Sequence, residues 1–267
     1  MAILSISREY QSGGQEIGQA VAQELRYDFV DKDRILRDMK EAGDQWGYLV
    51  QELDEVRPTV WEKYDRQYRS FIALIESRVY EYALKDRVVI LGRGSTFLLQ
   101  DIPHVLKVRI FAPLEKRIER VMIKFDVDRK TAEKLIEKTD RSRAGYIQAI
   151  YGKQWDNKKY FDLIFNTGLQ SLEEVTHVMA KALQDWDQRA TPEGRQKLAN
   201  LALAARVKAQ IFANLKLSLP TLEIFHDGQA IVLRGVVRNP KESQLVQEIA
   251  ATITGPHPIR NELDYRT

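Results

Sequence analysis

Ile6-Ser7-Arg8-Glu9-Tyr10-Gln11-Ser12-Gly13-Gly14-Gln15-Glu16-Ile17 is the stretch whose reading decides the fold. The apolar run Ala2 to Ile6 reads as a short buried strand. After the turn, Ile17, Val21 and Leu25 recur every fourth residue with Ala20 alongside, the period of a helix with one apolar face. Ser7 to Gly14 is the polar, glycine-bearing connection between them. Small residues ahead of a helix N-terminus offer backbone N–H groups and the positive end of the helix dipole to an anion. Glycines let the backbone approach that anion closely. Taken alone, the stretch reads equally as a strand-to-helix turn with no ligand.

Strands and helices alternate outward from this turn. Tyr27 to Val30 reads as a second short strand, ending in Asp31. Arg34 to Lys85 is mostly helical in pattern, with a break near Pro58 and with Phe71, Ile72, Ile75 and Val79 at helical spacing. Arg87 to Leu91 is a compact buried strand that runs into Gly92-Arg93-Gly94. Val105 to Phe111 is another, closed by Ala112-Pro113. Helical patterns cover Leu114 to Lys124, Arg129 to Lys138 and Arg141 to Ile150. Phe161 to Phe165 and Leu172 to Leu183 complete the series as strand and helix. Such alternation predicts right-handed βαβ crossovers and a parallel sheet covered by helices on both faces.

Asp185 to Arg195 has no apolar period and carries both Pro and Gly, so it reads as a linker. A new pattern follows: a helix near Leu201 to Leu215, strands at Leu222 to Phe225 and Ile231 to Leu233 around His226-Asp227-Gly228, a helix over Glu242 to Ile253, and a strand at Ile259 to Tyr265. Asp-Gly is a strong hairpin signal. This α-β-β-α-β order makes a complete small unit. The expected boundaries are therefore 1–184 for the first domain, 185–198 for the linker and 199–267 for the second.

Bulk properties narrow the function. A length of 267 residues makes two domains a fair expectation. With 44% hydrophobic and 30% charged residues, the chain belongs with globular proteins. A net charge of +3 is too small to point to nucleic acid. No cysteine is present, which removes disulfides, thiolate metal sites and cysteine nucleophiles. The four histidines are scattered without zinc-ligand spacing, so a zinc hydrolase is not expected. No window approaches the ~20 apolar residues of a membrane span, and the N-terminal apolar run is too short for a signal peptide. A cytoplasmic protein is expected.

The turn departs from the phosphate-loop pattern GxxxxGK[ST]. Aligned on Gly13, Arg8 stands for the first glycine, Gly14 for the lysine and Gln15 for the hydroxyl residue. The missing lysine would touch the transferred phosphates and the missing hydroxyl would hold Mg2+. Arg8 is the residue able to restore positive charge, since a guanidinium grips phosphate oxygens in pairs.

Several blocks together carry a resemblance. Ser7-Arg8-Glu9-Tyr10, Ser12-Gly13-Gly14 and Glu16-Ile17-Gly18 resemble the opening of the cytidylate kinase-like family. Asp31-Lys32-Asp33-Arg34-Ile35-Leu36, Val89-Ile90-Leu91-Gly92-Arg93-Gly94, Ala112-Pro113-Leu114-Glu115-Lys116-Arg117, Glu133-Lys134-Leu135-Ile136, Asp140-Arg141-Ser142-Arg143 and Tyr160-Phe161-Asp162-Leu163-Ile164-Phe165-Asn166-Thr167 are similar to its later segments, in order, over roughly the first 180 residues. The resemblance implies a P-loop nucleoside monophosphate kinase fold, ATP and Mg2+ as cofactors, and transfer of the ATP γ-phosphate to CMP or dCMP. It implies a phosphate-binding loop of Ser12, Gly13, Gly14, Gln15 and Glu16. Arg8, Arg117, Arg141 and Arg143 are the implied catalytic residues, with Arg141 and Arg143 on a closing lid. Asp31, Arg93 and Asn166 are the implied acceptor-nucleotide residues. Each has a plainer reading: Asp31 as a helix cap, Arg141 and Arg143 as a solvated helix face. Arg117 and Arg120 share one helix face, so either points at the site. Leu91 stands where the family carries an Asp, and only Asp33 and Glu16 remain as weak metal-ligand candidates.

Leu222 to Val237 alternates apolar and polar residues around its tight turn and, with Gly255 and Asn261-Glu262-Leu263, resembles a BON domain. That resemblance implies a phospholipid or protein partner. A small interaction or dimerisation module is the plainer reading. Three functions follow: a nucleotide-binding kinase, a catalytically impaired nucleotide sensor governing a BON-like module, or an envelope-associated protein with a scaffold N-terminal domain.

Overall fold

A computed structural model describes residues 1–41, 65–217 and 219–265. The chain forms two compact units. The first comprises, among described residues, 1–36 and 85–191; the second comprises 37–41, 65–84 and 192 onward. Each has its own core. The break expected near Pro58 lies outside the described residues.

The first unit is a five-stranded parallel sheet. Its strands are β1 (Ile3–Arg8), β2 (Asp28–Val30), β3 (Val88–Leu91), β4 (Val105–Phe111) and β5 (Leu163–Asn166), in the order β2-β3-β1-β4-β5. β1 is central, pairing Ile6 with Leu91 on one side and with Val108 on the other. Strands covered on both faces need continuous apolar runs, and Ile3, Leu4 and Ile6 are fully buried. Helices α1 (Gly14–Leu25) and α7 (Leu172–Trp186) pack together over one face through Ile17, Val21, Val175, Met179 and Leu183. The first turn of α7 closes a capping box between Ser171 and Glu174.

α2 (Lys32–Glu41) follows β2, and α4 (Ser95–Leu98) is a single turn after β3. α5 (Leu114–Phe125) follows β4. The two helical patterns expected at 129–138 and 141–150 are one helix, α6 (Arg129–Tyr151). No Pro interrupts them, and the polar break in their apolar period is filled by Asp140, whose carboxylate accepts the Tyr10 N–H at 2.8 Å. Asp128 caps α6 and Gly152, at φ 65°, ends it.

The second unit joins α3 (Arg66–Leu84) to α8 (Pro192–Ala213), α9 (Pro240–Thr254) and a three-stranded sheet of β6 (Glu223–His226), β7 (Ile231–Val237) and β8 (Ile259–Tyr265). β6 and β7 are antiparallel; β7 and β8 are parallel. The order α8-β6-β7-α9-β8 is the α-β-β-α-β expected. Two boundaries differ. α8 starts at Pro192, inside the stretch read as a linker, because Pro suits the first helical position and this helix is alanine-rich with no sharp apolar stripe. Residues 187–189 form a short 3-10 turn. α3 lies between β2 and β3 in sequence yet belongs to this unit, where Lys208 pairs with Glu76 at 2.9 Å and Arg69 lies over the Phe212 ring. No helix among the described residues is long and apolar enough to cross a membrane.

Candidate functional site

The site lies at the carboxyl edge of the central strands of the first unit, where open α/β sheets bind ligands. β1 delivers Arg8 to this edge and β3 delivers the Gly92-Arg93-Gly94 turn. All three turn residues have positive φ, of 78°, 56° and 72°. For Arg93 that backbone is unfavourable. Arg93 is 1% exposed, at the base of a cleft of about 330 Å³ that Arg8, Arg143, Tyr146 and Trp155 also line.

The phosphate loop wraps the N-terminus of α1, leaving the first N–H groups of the helix without carbonyl partners in the helix. Gly13 has φ 84°, and a Cβ there would stand 2.6 Å from Leu172 Cδ2. Gln15 and Glu16 are exposed on the first turn. Ser12 is fully buried, its hydroxyl donating to the carbonyl oxygens of Glu9 at 2.9 Å and Ile110 at 3.2 Å. Its role is therefore to shape the loop. The loop encloses a concavity of about 360 Å³, with Lys124 of α5 and Arg143 of α6 also in its lining.

Arg8 lines both hollows. Two glycines accommodate it. A Cβ at Gly14 would lie 2.6 Å from Arg8 Cβ, and a Cβ at Gly92 would lie 2.2 Å from an Arg8 guanidinium nitrogen. The glycine at the position of the usual loop lysine is thus the steric counterpart of Arg8. Arg143 Nη1 donates to the Arg8 carbonyl at 3.1 Å and its guanidinium lies 5.7 Å from the Tyr10 ring centroid.

The remaining arginines divide in two. Arg117 is buried beneath the loop: it pairs with Asp140 at 2.5 Å and Glu9 at 3.4 Å, and donates to the Ala112 carbonyl at 3.1 Å. Arg120 donates to the Gln11 carbonyl and to Thr167 Oγ1, both at 3.1 Å, while Thr167 Oγ1 donates to the Ser12 carbonyl at 2.7 Å. These two hold the loop from below. Arg141, with its side chain 75% exposed, pairs with Glu137 one turn away on the solvent side of α6. Of the four implied catalytic arginines, the structure brings Arg8 and Arg143 together at the cleft with Arg93. It places Arg117 under the loop and Arg141 outside.

Asp31 accepts the Arg34 N–H at 3.0 Å and caps α2. Asn166 accepts the Gly168 N–H at 3.0 Å and shapes the turn after β5. Sequence reasoning passed over Glu9 and Arg109 as working residues. Arg109 is buried in β4, 3.4 Å from the Glu9 carboxylate and 4.6 Å from the Trp155 ring centroid. Charged residues at alternate positions of a largely apolar strand, Lys107 and Arg109, were the available signal. Burial pushes the Glu9 carboxyl above its ordinary value, against the pull of Arg117 and Arg109. Burial likewise lowers the Arg109 guanidinium, against Glu9.

A central strand feeding a phosphate loop, with an arginine-bearing turn on its neighbour, defines a kinase-like nucleotide-binding fold. The chain belongs to the cytidylate kinase-like family, whose model matches residues 3–169. A cytidylate kinase from Methanocaldococcus jannaschii is 27% identical over 187 residues, covering 68% of this chain and 98% of that relative. A uronate isomerase from Corynebacterium glutamicum is 32% identical over 101 residues, 37% of this chain; the chain spans only 19% of that relative's length. Among solved structures, an uncharacterised protein from Eubacterium ventriosum has a TM-score of 0.52 at 22% identity, over 69% of this chain and 99% of that one, a likeness of fold.

Proposed function

We propose that the first unit transfers the γ-phosphate of ATP to a nucleoside monophosphate, with CMP or dCMP as acceptor. The observation that carries this reading is the position of Arg8. Its guanidinium lies against Gly92, and its side chain lines both the phosphate-loop hollow and the cleft over Arg93. A cation shared by two such hollows sits where a phosphoryl group passes from donor to acceptor. Phosphoryl transfer depends mainly on positioning and on positive charge around the transferred group. Backbone N–H groups of the first turn of α1 suit the donor phosphates. Lys124, from the last turn of α5, stands in the lining of the same hollow and serves as a second cation there. Arg93, at the base of the cleft, holds the acceptor phosphate, and Arg143 spans both hollows.

The kinase family implies ATP and Mg2+ in general. The loop suits ATP phosphates. It does not suit a protein-held Mg2+: Gln15 stands at the hydroxyl position, Leu91 at the expected Asp, and no group of three or more His, Cys, Asp or Glu among the described residues could hold a metal.

A coupled assay with ATP, Mg2+ and a panel of nucleoside monophosphates, run beside thermal shift with the same ligands, tests the proposal. Turnover on CMP or dCMP that is lost in Arg8→Ala supports it. Stabilisation by nucleotides without turnover would replace it with a sensor, and silence in both would remove nucleotides from the account.

For the second unit, we read 199–267 as a BON-like module whose partner is a phospholipid surface or a protein. The α-β-β-α-β order supports this, as does Gly235, where φ is 148° and a Cβ would lie 2.9 Å from the Thr221 carbonyl oxygen. Co-sedimentation of the full chain with liposomes tests the surface reading.

A further inference from the structure

A cleft of the second unit lies between α3, α8 and α9. It holds about 780 Å³ of space, the open solvent at its mouth included. Leu74 of α3 and the pair Ile249 and Ile253, one turn apart on α9, make its apolar lining. Ala209 of α8 leaves the space unfilled.

The polar groups on this lining do not cancel. Arg78 donates through Nη1 to Glu81 at 2.7 Å, but its Nε is buried and has no hydrogen-bond partner among the described residues. Arg206, one turn before Gln210 on α8, is exposed and makes no ion pair among the described residues. Two guanidiniums therefore face the cleft against a single carboxylate. Guanidiniums bind oxyanions through paired donors, while the three aliphatic side chains bind hydrocarbon.

We infer that this cleft binds a single-chain amphipathic anion, with a carboxylate or phosphate head between Arg78 and Arg206 and an apolar chain against Leu74, Ile249 and Ile253. The chemistry requires both parts: the head meets the guanidiniums of Arg78 and Arg206, and the chain covers half-buried aliphatic side chains. Neither an inorganic anion nor a neutral alkane derivative meets both.

The absence of cysteine makes a local readout available. Thr252→Cys places one thiol on the exposed rim of the cleft. Its alkylation rate is then measured in the full chain with sodium dodecanoate below its micelle concentration, dodecan-1-ol, inorganic phosphate, and anionic phospholipid vesicles. The expected result is saturable slowing by dodecanoate, none by phosphate, and protection by dodecanol weaker by about tenfold. Adding Arg206→Glu should weaken dodecanoate protection about tenfold or more, and Arg206→Lys should keep only part of it, because an ammonium keeps the charge but not the paired donors. Ile253→Trp, which fills the cleft, should abolish it. Equal protection by dodecanoate and dodecanol, or an unchanged response in Arg206→Glu, would overturn the inference in favour of apolar partition. Protection by vesicles alone would overturn it in favour of a membrane surface. Because Arg206 is exposed, the Arg206→Glu arm decides the matter if Ile253→Trp does not fold.

Discussion

The phosphate-loop edge of the first unit and the three-helix cleft of the second are built on opposite plans. At the loop edge the hollows are small, about 330 and 360 Å³, and their walls are backbone, guanidinium and aromatic rings. Behind those walls lies a second tier of charge, in which Arg109 and Arg117 meet Glu9, and Arg117 meets Asp140. The cleft of the second unit is about 780 Å³, its lining is partly aliphatic, and its charges are the Arg78–Glu81 pair and the exposed Arg206. Charges that must stay at fixed points need partners to hold them, because a side chain's own rotamer freedom would otherwise blur its position. The difference teaches which arginines act through the fold and which act on a ligand. Substitution at the lower tier should damage stability first, and substitution facing a hollow should damage binding first.

The largest effect tests that division directly. Arg117→Ala should destabilise the first unit by about 3 kcal/mol, the low end for a buried pair, since it leaves the partly buried Asp140 without its charged partner and Glu9 with Arg109 alone. Urea denaturation followed by circular dichroism reads it. Arg141→Ala, which removes an exposed pair, should stay within about 0.5 kcal/mol of the parent. If both behaved like Arg141, the lower tier would not be what holds the loop. Arg8→Ala comes next. It should lower phosphotransfer by about 10²–10³-fold while the melting temperature moves little. A large thermal loss would move Arg8 into the lower tier.

Much of the first unit was legible because its strands are continuous apolar runs and its turns carry glycine. β4 falls on the expected residues, as does β8 of the second unit. The single helix α6 was not legible as one helix, since the polar residues around Asp140 that interrupt its period are held by the phosphate loop, a contact distant in sequence. The start of α8 was hidden for the opposite reason: its first residues, Pro192 to Lys197, are polar or small and give no apolar stripe. At the site, the loop and Arg93 were readable from a strand–glycine–helix order. The separation of Arg8 and Arg143 from Arg117 and Arg141 was not, because Arg141 and Arg143 lie two apart on one helix and so face different sides. The role of Gly14 as the space for Arg8 was beyond any pattern, since it depends on how a strand end and a helix start approach each other.

That last point gives a sharper test of the loop. Gly14→Lys restores the residue expected in a phosphate loop, and by pattern alone it should improve nucleotide binding. The structure predicts a loss of roughly tenfold in ATP affinity by isothermal titration, because the new Cβ would lie 2.6 Å from Arg8 Cβ. Gly14→Lys with Arg8→Gly removes the clash and should recover affinity that either change alone lacks. Additive losses in the double variant would mean that Arg8 and Gly14 are independent.

The smallest effect belongs to the second unit. His226 Nε2 lies 2.7 Å from His257 Nε2, and His226 Nδ1 accepts the Gly228 N–H at 2.9 Å. Both ring nitrogens of His226 are thus committed to the neutral form. Burial, and then the neighbouring His257, lower its pKa from the ordinary 6.5. A histidine lowered in the folded state binds fewer protons there than in the unfolded chain. Its contribution to stability is therefore present above pH 6.5 and lost as pH falls through the lowered value. The melting temperature should drop as pH is taken from 7 to 5.5, and His226→Asn should flatten that drop while leaving the pH 7 value nearly unchanged. A drop that persisted in His226→Asn would assign the effect to groups other than this histidine pair.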